Sequence, residues 1–196
     1  SEHLDQQPKI KEMLSDIHSL LEQRSVRPIC FSGTLLGLYR DHGFIPWDTD
    51  IDLAISEASL ACFEENAGDL VKLLELASGA PWDLVPLYCD SKFGPCLEGS
   101  VRGFQVKERV KTSKYPTIDV FVIYFDSCQA YYTLSSRGIS LKKRYFIETE
   151  IVSLADCCVR VPKNVEGYLE DHYGSDWRVP KQSWNLSMLS SVSRIK

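Results

Sequence analysis

The chain has 196 residues and a mass of 22.3 kDa, enough for one well-buried core. Hydrophobic residues at 44% and charged residues at 25% sit near the averages of globular proteins and exclude a disordered, collagen-like or coiled-coil chain. A net charge of −5 with a pI near 5.4 excludes a protein built to cover nucleic-acid backbone, but leaves room for a local basic pocket.

The first apolar pattern is helical: Ile10, Met13, Leu14, Ile17, Leu20 and Leu21 recur at helical spacing between charged residues, with Pro8 near the start. Pro28 stops that helix, and Pro28–Phe31 reads as a short buried strand. Ser32-Gly33-Thr34 reads as a turn of small residues, followed by a short helix over Leu35–Arg40 that breaks at His42-Gly43. Ile51–Ile55 reads as a second strand, with Asp50 and Asp52 at its start, and a helix follows over about Glu57–Ala77. From Trp82 the pattern changes to strands: Trp82–Cys89, Gly99–Val106, Ile118–Phe125 and Ala130–Leu134. The basic run Lys142-Lys143-Arg144 precedes Tyr145–Ile151, and Val165–Tyr173 reads as a last helix ended by Gly174. The serine-rich tail from about residue 181 is expected to be loosely held.

This order predicts one α/β domain over residues 1–196, of the α+β type, with a mixed sheet and flanking helices. No stretch approaches the roughly 18 apolar residues that cross a bilayer, and the polar Ser1–Lys11 lacks the apolar region of a signal peptide. Seven cysteines without a C-x-x-C pair are read as free thiols in preference to a zinc site or a disulfide framework.

The chemistry concentrates between Phe31 and Leu53. Side chains two apart on an extended chain share a face, so Asp50 and Asp52 converge. Paired carboxylates repel unless a cation or a proton intervenes, and oxygen-only ligands in an open site suit Mg²⁺ or Mn²⁺. Asp119 opens the apolar run Val120–Ile123, so it belongs to an interior strand where a lone acid is costly. It is the candidate third ligand and a candidate general base. Gly33 lets backbone approach closely, and the Ser-Gly-Thr turn offers N–H groups and hydroxyls suited to phosphate, with Arg40 as a nearby charge. Lys143 is a weaker candidate for steering an anionic donor. Asp48 reads as a turn residue or a supporting acid.

These residues resemble the LicD/fukutin-related family, whose pattern runs S-G-T-L-L-G, an arginine, then I-P-W-D-x-D-I-D. Here Phe31–Leu53 carries it, with Thr49 at a position that is often Asp. Ile118-Asp119-Val120-Phe121 resembles the family's later D-[IV]-F strand. Val161–Asn164, Tyr168-Leu169 and Tyr173–Trp177 resemble its closing segment. The resemblance implies a nucleotidyltransferase fold like the DNA polymerase beta superfamily. It also implies transfer of a phospho-alcohol, such as phosphocholine or a polyol phosphate, from a CDP-linked donor to a glycan or glycolipid acceptor. On that reading Asp50, Asp52 and Asp119 hold Mg²⁺ or Mn²⁺, and Ser32, Gly33, Thr34 and Arg40 lie near the donor phosphates. Family members occur in the bacterial cytoplasm and in the eukaryotic secretory pathway, including the Golgi lumen, and the sequence does not choose. The rival expectations are nucleotidyl transfer to a small hydroxylated compound and a non-catalytic nucleotide- or glycan-binding module.

Overall fold

The computed structural model describes residues 6–112, 114–183 and 185–195; the polar start at Ser1–Asp5 lies outside them. The first helix, α1 (Gln7–Gln23), buries Ile10, Met13, Leu14, Ile17 and Leu21, the stripe its periodicity requires. Strand β1 (Ile29–Cys30) leads into α2 (Ser32–Leu36), which widens into a π-helical turn over Gly37–Asp41 and ends at His42, φ 56°. A Cβ on Gly37 would stand 2.7 Å from the Gly43 carbonyl, so only glycine lets this turn close back on itself. The small-residue stretch is thus the first turn of a helix, one element with the segment after it.

Strand β2 (Asp50–Ser56) is followed by a 3₁₀ turn over Glu57–Ser59 and by α3 (Leu60–Ser78), which Gly79 ends in the left-handed conformation. Gly68 does not break α3. Then come β3 (Trp82–Tyr88), β4 (Val101–Glu108), β5 (Thr117–Phe125), β6 (Gln129–Leu134) and β7 (Arg137–Lys142). The basic run leads into a single helical turn, α4 (Arg144–Ile147), and a hairpin of β8 (Thr149–Leu154) and β9 (Cys157–Pro162). Helix α5 (Val165–Tyr173) starts where the Asn164 side chain accepts the Gly167 N–H. A 3₁₀ turn over Leu186–Met188 and β10 (Val192–Arg194) complete the described chain.

One eight-stranded sheet runs β1-β2-β5-β6-β7-β10, with β4 on β5 and β3 on β4. Among the described residues only β2 and β5 pair in parallel; every other pairing in the sheet is antiparallel. The parallel register sets Asp52 opposite Asp119, and this one pairing builds the site. Helices α1 and α3 pack together, α1 also covering the β8–β9 hairpin and α3 packing on β3. Near the C-terminal end β10 pairs with β7, and Leu189 is buried. Among the described residues no helix is long and apolar enough to cross a membrane. All seven cysteines are free thiols, as read from the sequence.

Candidate metal and phosphate site

Phe31 fixes the site from below. Its ring is fully buried among Phe121, Tyr132 and Phe146, edge-on at 5.4, 5.5 and 6.3 Å, an anchor whose truncation to alanine costs about 3–5 kcal/mol. The next residue, Ser32, has a left-handed φ of 52°, sparsely populated for a side chain with a Cβ. Two tyrosine hydroxyls hold it there, that of Tyr168 fully buried and that of Tyr173 at the cavity. The Ser32 N–H donates to Tyr168 Oη at 2.9 Å, and Ser32 Oγ meets Tyr173 Oη at 3.3 Å.

The bend turns the first helical N–H groups toward β2. The Gly33 N–H donates to the Asp52 carboxylate, and Thr34 Oγ1 accepts the Asp52 N–H at 2.8 Å. Thr34 is buried, so its hydroxyl serves the start of β2. Asp50, Asp52 and Asp119 then each present a carboxylate oxygen, all within 4.8 Å of one another. Gln105 Nε2 donates to Asp119 at 3.4 Å from the neighbouring β4.

Burial and mutual repulsion dominate the electrostatics. Desolvation, then the charges of Asp50, Asp48 and Asp119, push the Asp52 carboxyl well above the usual range, with the Gly33 N–H opposing. Asp119 is raised to about 6 by desolvation and the Asp50 charge, against the Gln105 hydrogen bond. Asp48 is raised to about 8 by desolvation and by a hydrogen bond and repulsion with Asp50. Sequence reasoning left Asp48 as a turn residue or supporting acid; here it is a fourth carboxylate of the cluster. Its two-residue spacing from Asp50 was the available signal. Three converging carboxylates, with Asp48 beside Asp50, are the oxygen donors that hard divalent ions bind, so the residues fit Mg²⁺ or Mn²⁺.

The cluster opens into a cavity of about 360 Å³. Ser32, Gly33 and Arg40 lie on one side, and Tyr132, Leu134 and Trp177 form an apolar wall. Arg40 is already engaged: Nε and Nη2 donate to the two Asp41 carboxylate oxygens, each at 2.8 Å, and Nη1 to the Trp177 carbonyl at 3.1 Å. It braces the wall while leaving its charge beside the cavity. Lys143 stands apart. Its Nζ donates to the Asp126 carbonyl and sits 5.5 Å over the Phe125 ring, and it lines neither this cavity nor a smaller one of about 140 Å³ beyond Asp48.

A mixed sheet that carries converging carboxylates on its one parallel strand pair, beside a glycine-bearing helix start, defines a nucleotidyltransferase-type domain. Residues 26–164 match the family described as LicD/FKTN/FKRP, nucleotidyltransferase domain, and the chain belongs to that family. Mouse ribitol-5-phosphate transferase FKTN is 27% identical over 183 residues, covering 90% of this chain and 35% of the mouse protein. The human counterpart is 28% identical over 181 residues, covering 89% and 34%. The chain therefore spans about a third of the length of these relatives. The solution structure of the antibiotic-resistance factor ANT(2'')-Ia superposes with a TM-score of 0.43 at 14% identity, over 92% of this chain and 79% of that one. The crystal structure of ANT(2'')-Ia with adenylyl-2''-tobramycin gives the same score and identity, over 90% and 82%. Likeness at that level bears on neither substrate nor reaction.

Proposed function

We propose that the chain transfers a phospho-alcohol, of the polyol-phosphate or phosphocholine class, from a CDP-linked donor to a glycan hydroxyl and releases CMP. The observation that carries this reading is the convergence of Asp50, Asp52 and Asp119 within 4.8 Å at the edge of the larger cavity. Membership of the LicD/FKTN/FKRP family and similarity to ribitol-5-phosphate transferases support it.

In this reading Asp50, Asp52 and Asp119 hold Mg²⁺ or Mn²⁺, which when bound supplies Lewis-acid neutralisation of the diphosphate charge. Gly33 and Ser32 shape the backbone against which the donor lies, and Arg40 adds positive charge at the wall. Asp119, at the edge of the cavity, is the carboxylate that would take the proton of the acceptor hydroxyl. The bond from the acceptor oxygen to phosphorus forms as the bond from phosphorus to the CMP oxygen breaks. The apolar wall of Tyr132, Leu134 and Trp177 excludes water that would otherwise compete with the acceptor.

The test is CMP release from CDP-ribitol, CDP-glycerol and CDP-choline with Mn²⁺ or Mg²⁺, using wild type and Asp52→Asn. The asparagine keeps an oxygen for the Gly33 N–H and removes one charge from a repelling cluster. Turnover should fall on the order of a hundredfold or more while the melting temperature stays level or rises. An Asp52→Asn variant within about tenfold of wild type would refute the metal-holding role.

A further inference from the structure

The Asp48–Asp50 segment is a partition between two cavities. The larger holds Asp52 and Asp119, the smaller lies on the other side, and Gly33, Asp48 and Asp50 face both. The lining of the smaller cavity is different in kind: Lys111, Lys114 and Tyr115, from the β4–β5 connection, share it with the acids.

The two cavities differ in whether their cations are available. In the larger one, Arg40 is clamped by Asp41 at 2.8 Å and Lys181 pairs with Asp176 at 2.7 Å. In the smaller one, neither Lys111 nor Lys114 makes an ion pair among the described residues. Asp48 and Asp50 line the same cavity, yet the lysines do not collapse onto them. The positive field there is reinforced by Lys9, whose Nζ stands 5.3 Å over the Tyr115 ring. The remaining walls are stiff. Gln7 and Phe44 exchange hydrogen bonds at 3.2 and 3.3 Å, and the Thr117 N–H holds the Thr49 carbonyl at 3.1 Å. A preformed hollow with unneutralised ammonium groups and one aromatic face attracts an anion to its lysines, with the acids of the cluster keeping the phosphate on that side.

We infer that the cavity between Lys111, Lys114, Tyr115 and the Asp48–Asp50 segment is a phosphate-ester subsite, in which the two lysines hold the phosphate and Tyr115 flanks the attached sugar. The inference rests on the transferase reading for the importance of the subsite, not for its existence. The phosphate belongs either to the nucleotide end of the donor or to a phosphorylated sugar, and the two sources share the same recognition chemistry.

Calorimetric titration of the full chain with CMP, ribose 5-phosphate, inorganic phosphate and uncharged cytidine, each with Mg²⁺, tests it. The variants are Lys111→Gln/Lys114→Gln and, as a control on the exposed face of α3, Lys72→Gln. The double variant should keep the wild-type melting temperature, because both lysines are exposed. It should bind at least one phosphate ligand about tenfold or more weakly, with cytidine and the control unchanged. A loss confined to CMP assigns the subsite to the donor nucleotide, a loss confined to ribose 5-phosphate assigns it to a phosphorylated sugar, and a loss for every phosphate assigns it to the phosphate alone. Wild type that binds none of them, or a double variant that binds all as wild type does, overturns the inference. Turnover by wild type with unchanged binding by the double variant would leave the reaction standing without the subsite. Weakened binding in a protein with no turnover would do the reverse.

Discussion

Ser32 and Gly33 set the geometry of the acid cluster through backbone alone. Ser32 adopts a left-handed φ of 52°, and the Asp48 carboxylate occupies the space that a Cβ on its neighbour Gly33 would take. A Cβ on Gly33 would lie 2.7 Å from Asp48 Oδ2 and 3.6 Å from Asp52 Oδ2. The nearer atom ends a short side chain, so the protein accommodates alanine by turning Asp48 away. Gly33→Ala is therefore expected to fold with little loss of stability and to weaken Mn²⁺ or Mg²⁺ binding about 10- to 100-fold, as displaced supporting groups do at metal sites. Calorimetry beside thermal melting separates the two effects. An alanine variant that binds the ion as wild type does would mean that Asp48 takes no part in shaping the cluster.

At the scale of elements, the site depends on α5, which contributes no ligand to it. Tyr168 and Tyr173 reach Ser32 across 136 and 141 residues of sequence. Tyr168→Phe removes the acceptor of the Ser32 N–H inside the protein, a loss of about 1–3 kcal/mol for an unsatisfied group, and frees Ser32 to relax out of the left-handed region. Chemical denaturation should register that loss together with slower CMP release. Full activity in a destabilised Tyr168→Phe variant would confine Tyr168 to folding. The same distance explains what was legible beforehand. Asp50 and Asp52 announce themselves because their relation is local, and Asp119 because an acid opening an apolar strand is conspicuous. The Tyr168–Ser32 contact has no local trace. Strand β9 was missed for a related reason: the β8–β9 turn, Ala155-Asp156, has φ values of 49° and 66° with neither glycine nor asparagine to mark it. Strand β7 follows a turn at Ser135, φ 49°, equally unmarked. Ser32-Gly33-Thr34 read as a turn ahead of a helix because small residues suggest one, whereas the helix itself starts at Ser32.

Across the whole molecule, the buried acids and two buried histidines act on stability in opposite directions. Burial lowers His18 to about 4 and His172 to about 3, so between those values and about 6.5 the unfolded chain binds protons that the native protein refuses. Their contribution makes stability rise with pH and is complete above about 6.5. Asp119 and Asp48 are raised, to about 6 and about 8, so from about pH 4 upward the native state binds the extra protons and stability falls as pH rises through those values. Above pH 6.5 the histidines are silent and the raised acids remain, Asp48 and Asp52 among them. The metal-free protein should thus lose melting temperature from pH 6.5 to pH 8.5. The drop is about 2–8 °C if solvent at the cavity mouth reduces the effect to about 1–2 kcal/mol. A divalent cation stabilises the ionised cluster, so Mn²⁺ should raise the melting temperature more at pH 8.5 than at pH 6 and flatten the alkaline limb. Melting curves in EDTA and in Mn²⁺ across that range decide the matter. A metal-free protein equally stable at both ends would show that the carboxylates are not strained by one another, and the electrostatic case for a cation at their centre would fall.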